Sequence, residues 1–221
     1  MISAEIQLLT TTAASIGFFH TLAGPDHYLP FVMMSRARGW GIARTTAITV
    51  ACGVGHVLGS IALGFAGVLL GTALVKLELI ESVRGDLAAW ALLVFGVGYT
   101  AWGIHRAVRG RVHSQAHGEE HDHGKERKPI TPWVLFVIFV LGPCEPLIPI
   151  LMYPAAKESV AGLVLVATVF GVLTVATMIG AVVLATCGVR LLPLGQLEHY
   201  SHAMAGGAIA LCACAILFLG L

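Results

Sequence analysis

The chain has 221 residues, 57% of them hydrophobic and only 11% charged, with a mean hydropathy of +0.86. Soluble domains carry nearer a quarter charged residues, so this composition describes an integral membrane protein whose main partner is the lipid bilayer. The formal net charge of +1, with no basic face and little soluble mass, argues against nucleic acid as a partner.

The N-terminal Met1-Ile-Ser-Ala-Glu-Ile lacks a basic region, and the apolar run after it outlasts a signal peptide, so it reads as a retained span. Six spans fit, at roughly 7–34, 43–73, 87–106, 131–156, 159–188 and 200–221. The first contains His20-Thr-Leu-Ala-Gly-Pro-Asp-His27. A carboxylate at membrane depth costs about 2.5–3.5 kcal/mol on translocon scales, which makes Asp26 a functional candidate. Imidazole and carboxylate together suit divalent nickel, cobalt, zinc or iron. In an unbroken helix His20 and His27 stand about 10 Å apart along one face, too far to share an ion. A proline removes a backbone donor and clashes with the preceding turn, so Gly24-Pro25 is expected to break the helix and fold the two ligands together. The plainer alternative has Asp26 cap the second half-helix while His27 satisfies its backbone.

The second span contributes His56, mid-span among small residues that let another helix approach closely. Its plain alternative is a hydrogen-bonded packing histidine. Between the third and fourth spans, residues 107–130 carry His113, His117, His121 and His123 among Glu119, Glu120 and Asp122. Such a tract cannot build a core and reads as a disordered loop that gathers metal loosely, or as a plain solvated linker. The fourth span is interrupted at Gly142-Pro143, where Cys144 and Glu145 occupy the places of Asp26 and His27. These two add a soft and a hard donor, and Cys144 stays open between ligand, redox thiol and structural thiol. His199 and His202 begin the sixth span and receive no role beyond an exit path. Five cysteines, all in apolar segments and without close CxxC spacing, default to reduced buried thiols apart from Cys144.

Of the Lys and Arg residues, Arg36, Arg38, Arg44, Arg106, Arg109, Arg111, Lys125, Arg127, Lys128 and Arg190 fall at one set of loops, against Lys76, Arg84 and Lys157 at the other. The positive-inside rule then puts loop 107–130 in the cytoplasm and both termini outside a cell (inner or plasma) membrane. Trp40, Trp133 and Tyr200 suit interfacial anchors. Shifting the chain by 118 residues aligns Gly24-Pro25 with Gly142-Pro143, Gly53 with Gly171, Val57 with Val175 and Ile61 with Ile179. Three spans per half makes the repeats inverted, and paired Gly/Pro-broken helices in inverted repeats point to a transporter's substrate site. The expected fold is therefore all-α: six transmembrane helices as two inverted three-helix repeats, 1–106 and 131–221, with the first and fourth helices broken at Gly-Pro.

His20-x5-Asp26-His27 and Gly55-His56-Val-Leu-Gly-Ser60 resemble the H-x4-D-H and Gly-His-Ser elements of the nickel/cobalt transporter superfamily, which includes NiCoT, NicO and UreH-like proteins. The first element is one residue longer here, and the Ser does not directly follow the His. The His-rich loop resembles that of NicO-type efflux proteins. Separately, Gly142-Pro143-Cys144-Glu145-Pro146 resembles the CcdA/DsbD-type membrane electron carriers, which use one Cys per half where this chain has Asp26.

The resulting expectation is a transporter, not an enzyme, for a divalent metal ion. Nickel or cobalt is what the resemblance implies, with zinc, iron or manganese also compatible. His20, Asp26, His27 and His56 are the expected ligands, Cys144 and Glu145 close the site from the second half, and no cofactor is tightly bound. Metal binding to such a site releases protons, so proton coupling is compatible with it, as is a homo-oligomer. The competing readings are a membrane thiol–disulfide carrier and an exporter of a small anion or sulfur compound at the two half-helix N-termini. Import and export are not distinguished by a ligand set.

Overall fold

The structure is a computed structural model that describes residues 4–70, 74–114, 130–142, 144, 146–156, 160–191 and 195–220. Every regular element among the described residues is helical: α1 (Ala4–Ala23), α2 (Leu29–Arg38), α3 (Ile42–Leu69), α4 (Leu74–Ser114), α5 (Ile130–Leu141), α6 (Leu147–Ala156), α7 (Val160–Leu191) and α8 (Ser201–Leu219), with 3₁₀ turns at Pro25–His27 and Gly195–Tyr200. The ends follow local chemistry. Pro25 has no N–H to extend α1, and Pro30 sits in the first turn of α2, where its missing donor costs nothing. Gly39 closes α2 at φ +62°, the left-handed conformation that a glycine adopts without penalty, and its N–H reaches the carbonyls of Ser35 and Arg36.

Among the described residues, four helical stretches are long and apolar enough to cross a membrane: Ile42–Gly67, Val75–Arg109, Val160–Leu191 and Glu198–Leu219. Large apolar side chains cover their outer faces, with Val94 70%, Leu184 76% and Leu211 73% exposed, a surface compatible with a membrane protein. The expected spans 7–34 and 131–156 are each divided between two shorter helices, α1 with α2 and α5 with α6. The expected third span started at residue 87, whereas α4 starts at Leu74. Lys76, Glu78, Glu81, Arg84 and Asp86 depress the hydropathy of its first turns, yet Glu81 and Arg84 pair along the helix, Arg84 Nη1 donating to Glu81 Oε1 at 2.7 Å. Arg84 is thus a half-buried helical residue rather than a loop charge. Trp40 is no interfacial anchor: it is buried, and its carbonyl accepts from Arg190. Cys187 is exposed rather than buried.

Small residues set the helix packing. α4 and α8 run antiparallel in close contact, because Gly96 lies against Ala210, Gly103 against Ala203 and Gly206 against Thr100; a Cβ at Gly96 would stand 2.6 Å from the Ala210 backbone nitrogen. α1 packs on α7 at Gly17, facing Phe170 and Thr174, and α5 packs on α3 at Gly55, facing Phe136 and Val140. α3 crosses α7 with Gly53 against Val175 and Gly171 against Val57. At the end where α2 stops, Arg38 donates to Tyr99 Oη (3.1 Å) and Thr131 Oγ1 (2.6 Å), Tyr99 Oη lies 2.8 Å from His202 Nδ1, and Arg36 donates to the Val189 carbonyl. These contacts tie α2, α4, α5, α7 and α8 together at that face.

Candidate functional site

α1 ends at Ala23, and the 3₁₀ turn that follows swings His27 back beside α1. The His20 and His27 ring centres are 5.0 Å apart, and His56 of α3 adds a third ring 5.2 Å from His27. Neighbouring rings stand nearly perpendicular, at 80° and 89°. His27 and His56 are buried, at 3% and 4% exposure.

Two of the rings are oriented by their Nδ1 atoms. His27 Nδ1 lies 3.0 Å from Asp26 Oδ1 and 3.2 Å from the Gly24 carbonyl, and His56 Nδ1 lies 3.2 Å from the Phe139 carbonyl. All three partners are acceptors, so in each ring Nδ1 carries the hydrogen and donates. In the neutral imidazole, Nε2 then holds the free lone pair. The Nε2 atoms of His20, His27 and His56 are all buried with no hydrogen-bond partner. A buried polar atom without a partner is uncommon enough to require a reason, and here three occur together.

Glycine makes room for the orienting contacts. A Cβ at Gly24 would come within 2.6 Å of His27 Nδ1 and 2.8 Å of Asp26 Oδ1, and one at Gly142 would lie 3.3 Å from His56 Nδ1. Gly24 is therefore needed for space and not for conformation, since its φ of −86° suits any residue. Gly55 has the same function at one remove: it lets α5 approach α3 until the Phe139 carbonyl meets His56. The next carbonyl of α5, that of Val140, accepts from Arg84 Nη2 at 2.9 Å. Both carbonyls belong to the last turn of α5, where helical donors run out; that of Phe139 also accepts from the Gly142 N–H at 3.1 Å.

The three histidines line a cavity of about 530 Å³ together with Asp26, Ser82, Asp86, Phe139 and Gly142. Among the described residues of its wall the charged side chains are Asp26 and Asp86, with no Lys or Arg. The histidines and Asp26 form an open set: among the described residues, no three His, Cys, Asp or Glu side chains make a ready metal-binding group.

Of the expected site residues, His20, Asp26, His27 and His56 come together. Cys144 does not join them on the cavity wall. It is fully buried in an apolar cluster with Ala13, Leu147 and Phe170, and its N–H donates to Ser60 Oγ at 3.1 Å. Glu145, His117, His121 and His123 lie outside the described residues, as does the side chain of His113. Glu81, Arg84 and Asp86 were missed because hydropathy alone began the third span only at residue 87, whereas α4 starts at Leu74. The Glu-x-x-Arg spacing, one helical turn, was the available signal. No protein-family model matches the chain, and no curated protein or solved structure matches it.

Proposed function

We propose that the protein is a membrane transporter of a divalent transition-metal ion, bound as substrate by the imidazoles of His20, His27 and His56. The observation that carries this reading is three buried, unpartnered Nε2 atoms on one cavity whose described wall holds two carboxylates and no cation. Two imidazoles on one tetrahedral ion, with metal–nitrogen bonds of about 2.0–2.1 Å, have ring centres about 5 Å apart. The two neighbouring pairs here stand at 5.0 and 5.2 Å. An ion would therefore need rotation of the rings rather than travel of the helices. Asp26 acts mainly through His27 in this reading, as the carboxylate that fixes which nitrogen carries the proton. Nickel or cobalt is the favoured substrate because of the resemblance of the His20–His27 and His56 elements. The all-acidic charge of the wall disfavours a small anion as cargo. The burial of Cys144 gives no support to thiol–disulfide exchange.

The reading takes the chain as six crossings in two inverted halves, with α1–α2 and α5–α6 each counted as one crossing interrupted at Gly-Pro. The reciprocal contacts of Gly53 with Val175 and of Gly171 with Val57 support it, because they are one contact repeated after a shift of 118 residues. The arginine-rich face formed by Arg36, Arg38 and Arg190 is placed in the cytoplasm on the positive-inside rule.

The test is equilibrium binding of Co²⁺ and Ni²⁺ to the purified full chain by calorimetry, with His27→Ala and Asp26→Asn. His27→Ala is expected to abolish high-affinity binding. Asp26→Asn is expected to weaken it about 10- to 100-fold, the usual effect of removing an outer carboxylate. Wild-type affinity in both variants would overturn the site.

A further inference from the structure

The charged side chain that the metal reading leaves without a task on the cavity wall is Asp86. It lies on α4, on the face that also carries Ser82, Gly85, Ala89 and Leu92 into the cavity, a spacing that keeps one side of a helix turned to one place. The antiparallel register fixed by Gly96 on Ala210 and Gly103 on Ala203 brings Asp86 level with Gly220, the residue that caps α8. Gly220 lines the same cavity. Asp86 is exposed, whereas His27 and His56 on the same cavity are buried. From Asp86 to Leu92, which is buried, the wall runs about 9 Å along α4 past the small side chains of Ala88 and Ala89.

We infer that Asp86 is the entrance carboxylate of this cavity, meeting the hydrated divalent cation before it reaches the imidazoles. This rests on the metal-transport reading and adds a residue and a direction of access to it. The support is the combination on one cavity: an exposed carboxylate, small side chains beside it on α4, and buried imidazole nitrogens without partners. Asp26 is not equivalent to it, because its Oδ1 already holds His27 Nδ1. A carboxylate at the mouth of a low-dielectric cleft raises the local concentration of cations and their rate of capture, and it does so less as salt screens it.

The experiment uses the full chain in proteoliposomes with Co²⁺ as the probe, alongside equilibrium Co²⁺ binding to the same preparations. Asp86→Asn is expected to raise the half-saturating Co²⁺ concentration about 3- to 10-fold at low ionic strength with an unchanged maximal rate, a gap that closes at high salt. Asp86→Glu is expected to restore the wild-type value, and equilibrium binding is expected to stay at wild-type affinity in both variants, which also reports that they are folded. An unchanged half-saturating concentration, or a gap that persists at high salt, overturns the inference and leaves the imidazole site standing. Loss of equilibrium binding in Asp86→Asn makes Asp86 a ligand and overturns its role at the mouth. If the wild-type protein neither binds nor moves Co²⁺ or Ni²⁺, the metal reading itself fails, and this inference with it.

Discussion

Replacing Gly24 by alanine tests the site by its geometry without touching a donor atom. The backbone at Gly24 accepts any residue, so the added methyl acts only through space. It would stand 2.6 Å from His27 Nδ1 and 2.8 Å from Asp26 Oδ1, where ordinary contact begins near 3.4 Å. The ring and the carboxylate must therefore withdraw by about 0.8 Å at the nearest atom. Forcing a methyl into a packed site costs about 1–3 kcal/mol. Because the displaced group is the ring that presents Nε2, that cost is expected in metal affinity as a loss of about 5- to 150-fold. The assay is Co²⁺ calorimetry on detergent-purified protein, paired with the midpoint of thermal unfolding. Gly98→Ala is the matched control, since nothing lies within 4 Å of a Cβ there. It is expected to bind Co²⁺ as the wild type does and to gain about 0.5–1 kcal/mol of helix stability. Equal affinity in Gly24→Ala and Gly98→Ala would refute the claim that the crowding around Gly24 positions His27.

Two further outcomes concern the frame that holds the site. Arg84→Met strips the guanidinium from the buried Glu81 carboxylate and the Val140 carbonyl, and is expected to lower stability by about 3–5 kcal/mol; Glu81→Met/Arg84→Met together should recover much of that loss in thermal unfolding. Gly96→Ala pushes a methyl against the Ala210 backbone, which cannot swing aside as a side chain can. It should separate α4 from α8 at a cost of about 1–3 kcal/mol, read as a lower unfolding midpoint, and a wild-type midpoint would show that the two helices are not in close contact there.

Much of the candidate site is legible in the residue order because its cost is local. An Asp and three His inside apolar runs stand out whatever the fold, and Gly-Pro marks where α1 cannot continue. Helix geometry alone keeps His20 and His27 about 10 Å apart in an unbroken helix, whereas their rings lie 5.0 Å from each other across the turn. Asp86 and Arg84 were not legible in the same way. Hydropathy averages over a window, so charges near a helix end look like loop residues, and nothing in the local order says that Arg84 reaches a carbonyl on α5. The residue order aligns Cys144 with Asp26, but positions aligned between two halves need not face the same cavity. Cys144 packs against Leu147 and Phe170 and does not line the cavity that the histidines line.

By itself the sequence determined the apolar, all-helical character of the described residues and the identity of the expensive polar residues. Each of these depends on a transfer cost or a backbone constraint felt within a few residues. Only the tertiary structure decided which nitrogen of His27 and His56 is left with its lone pair, because that follows from acceptors on a neighbouring turn and on α5. It also decided that Asp86 shares a cavity with the histidines and that Cys144 does not, since those relations depend on helix register across the bundle.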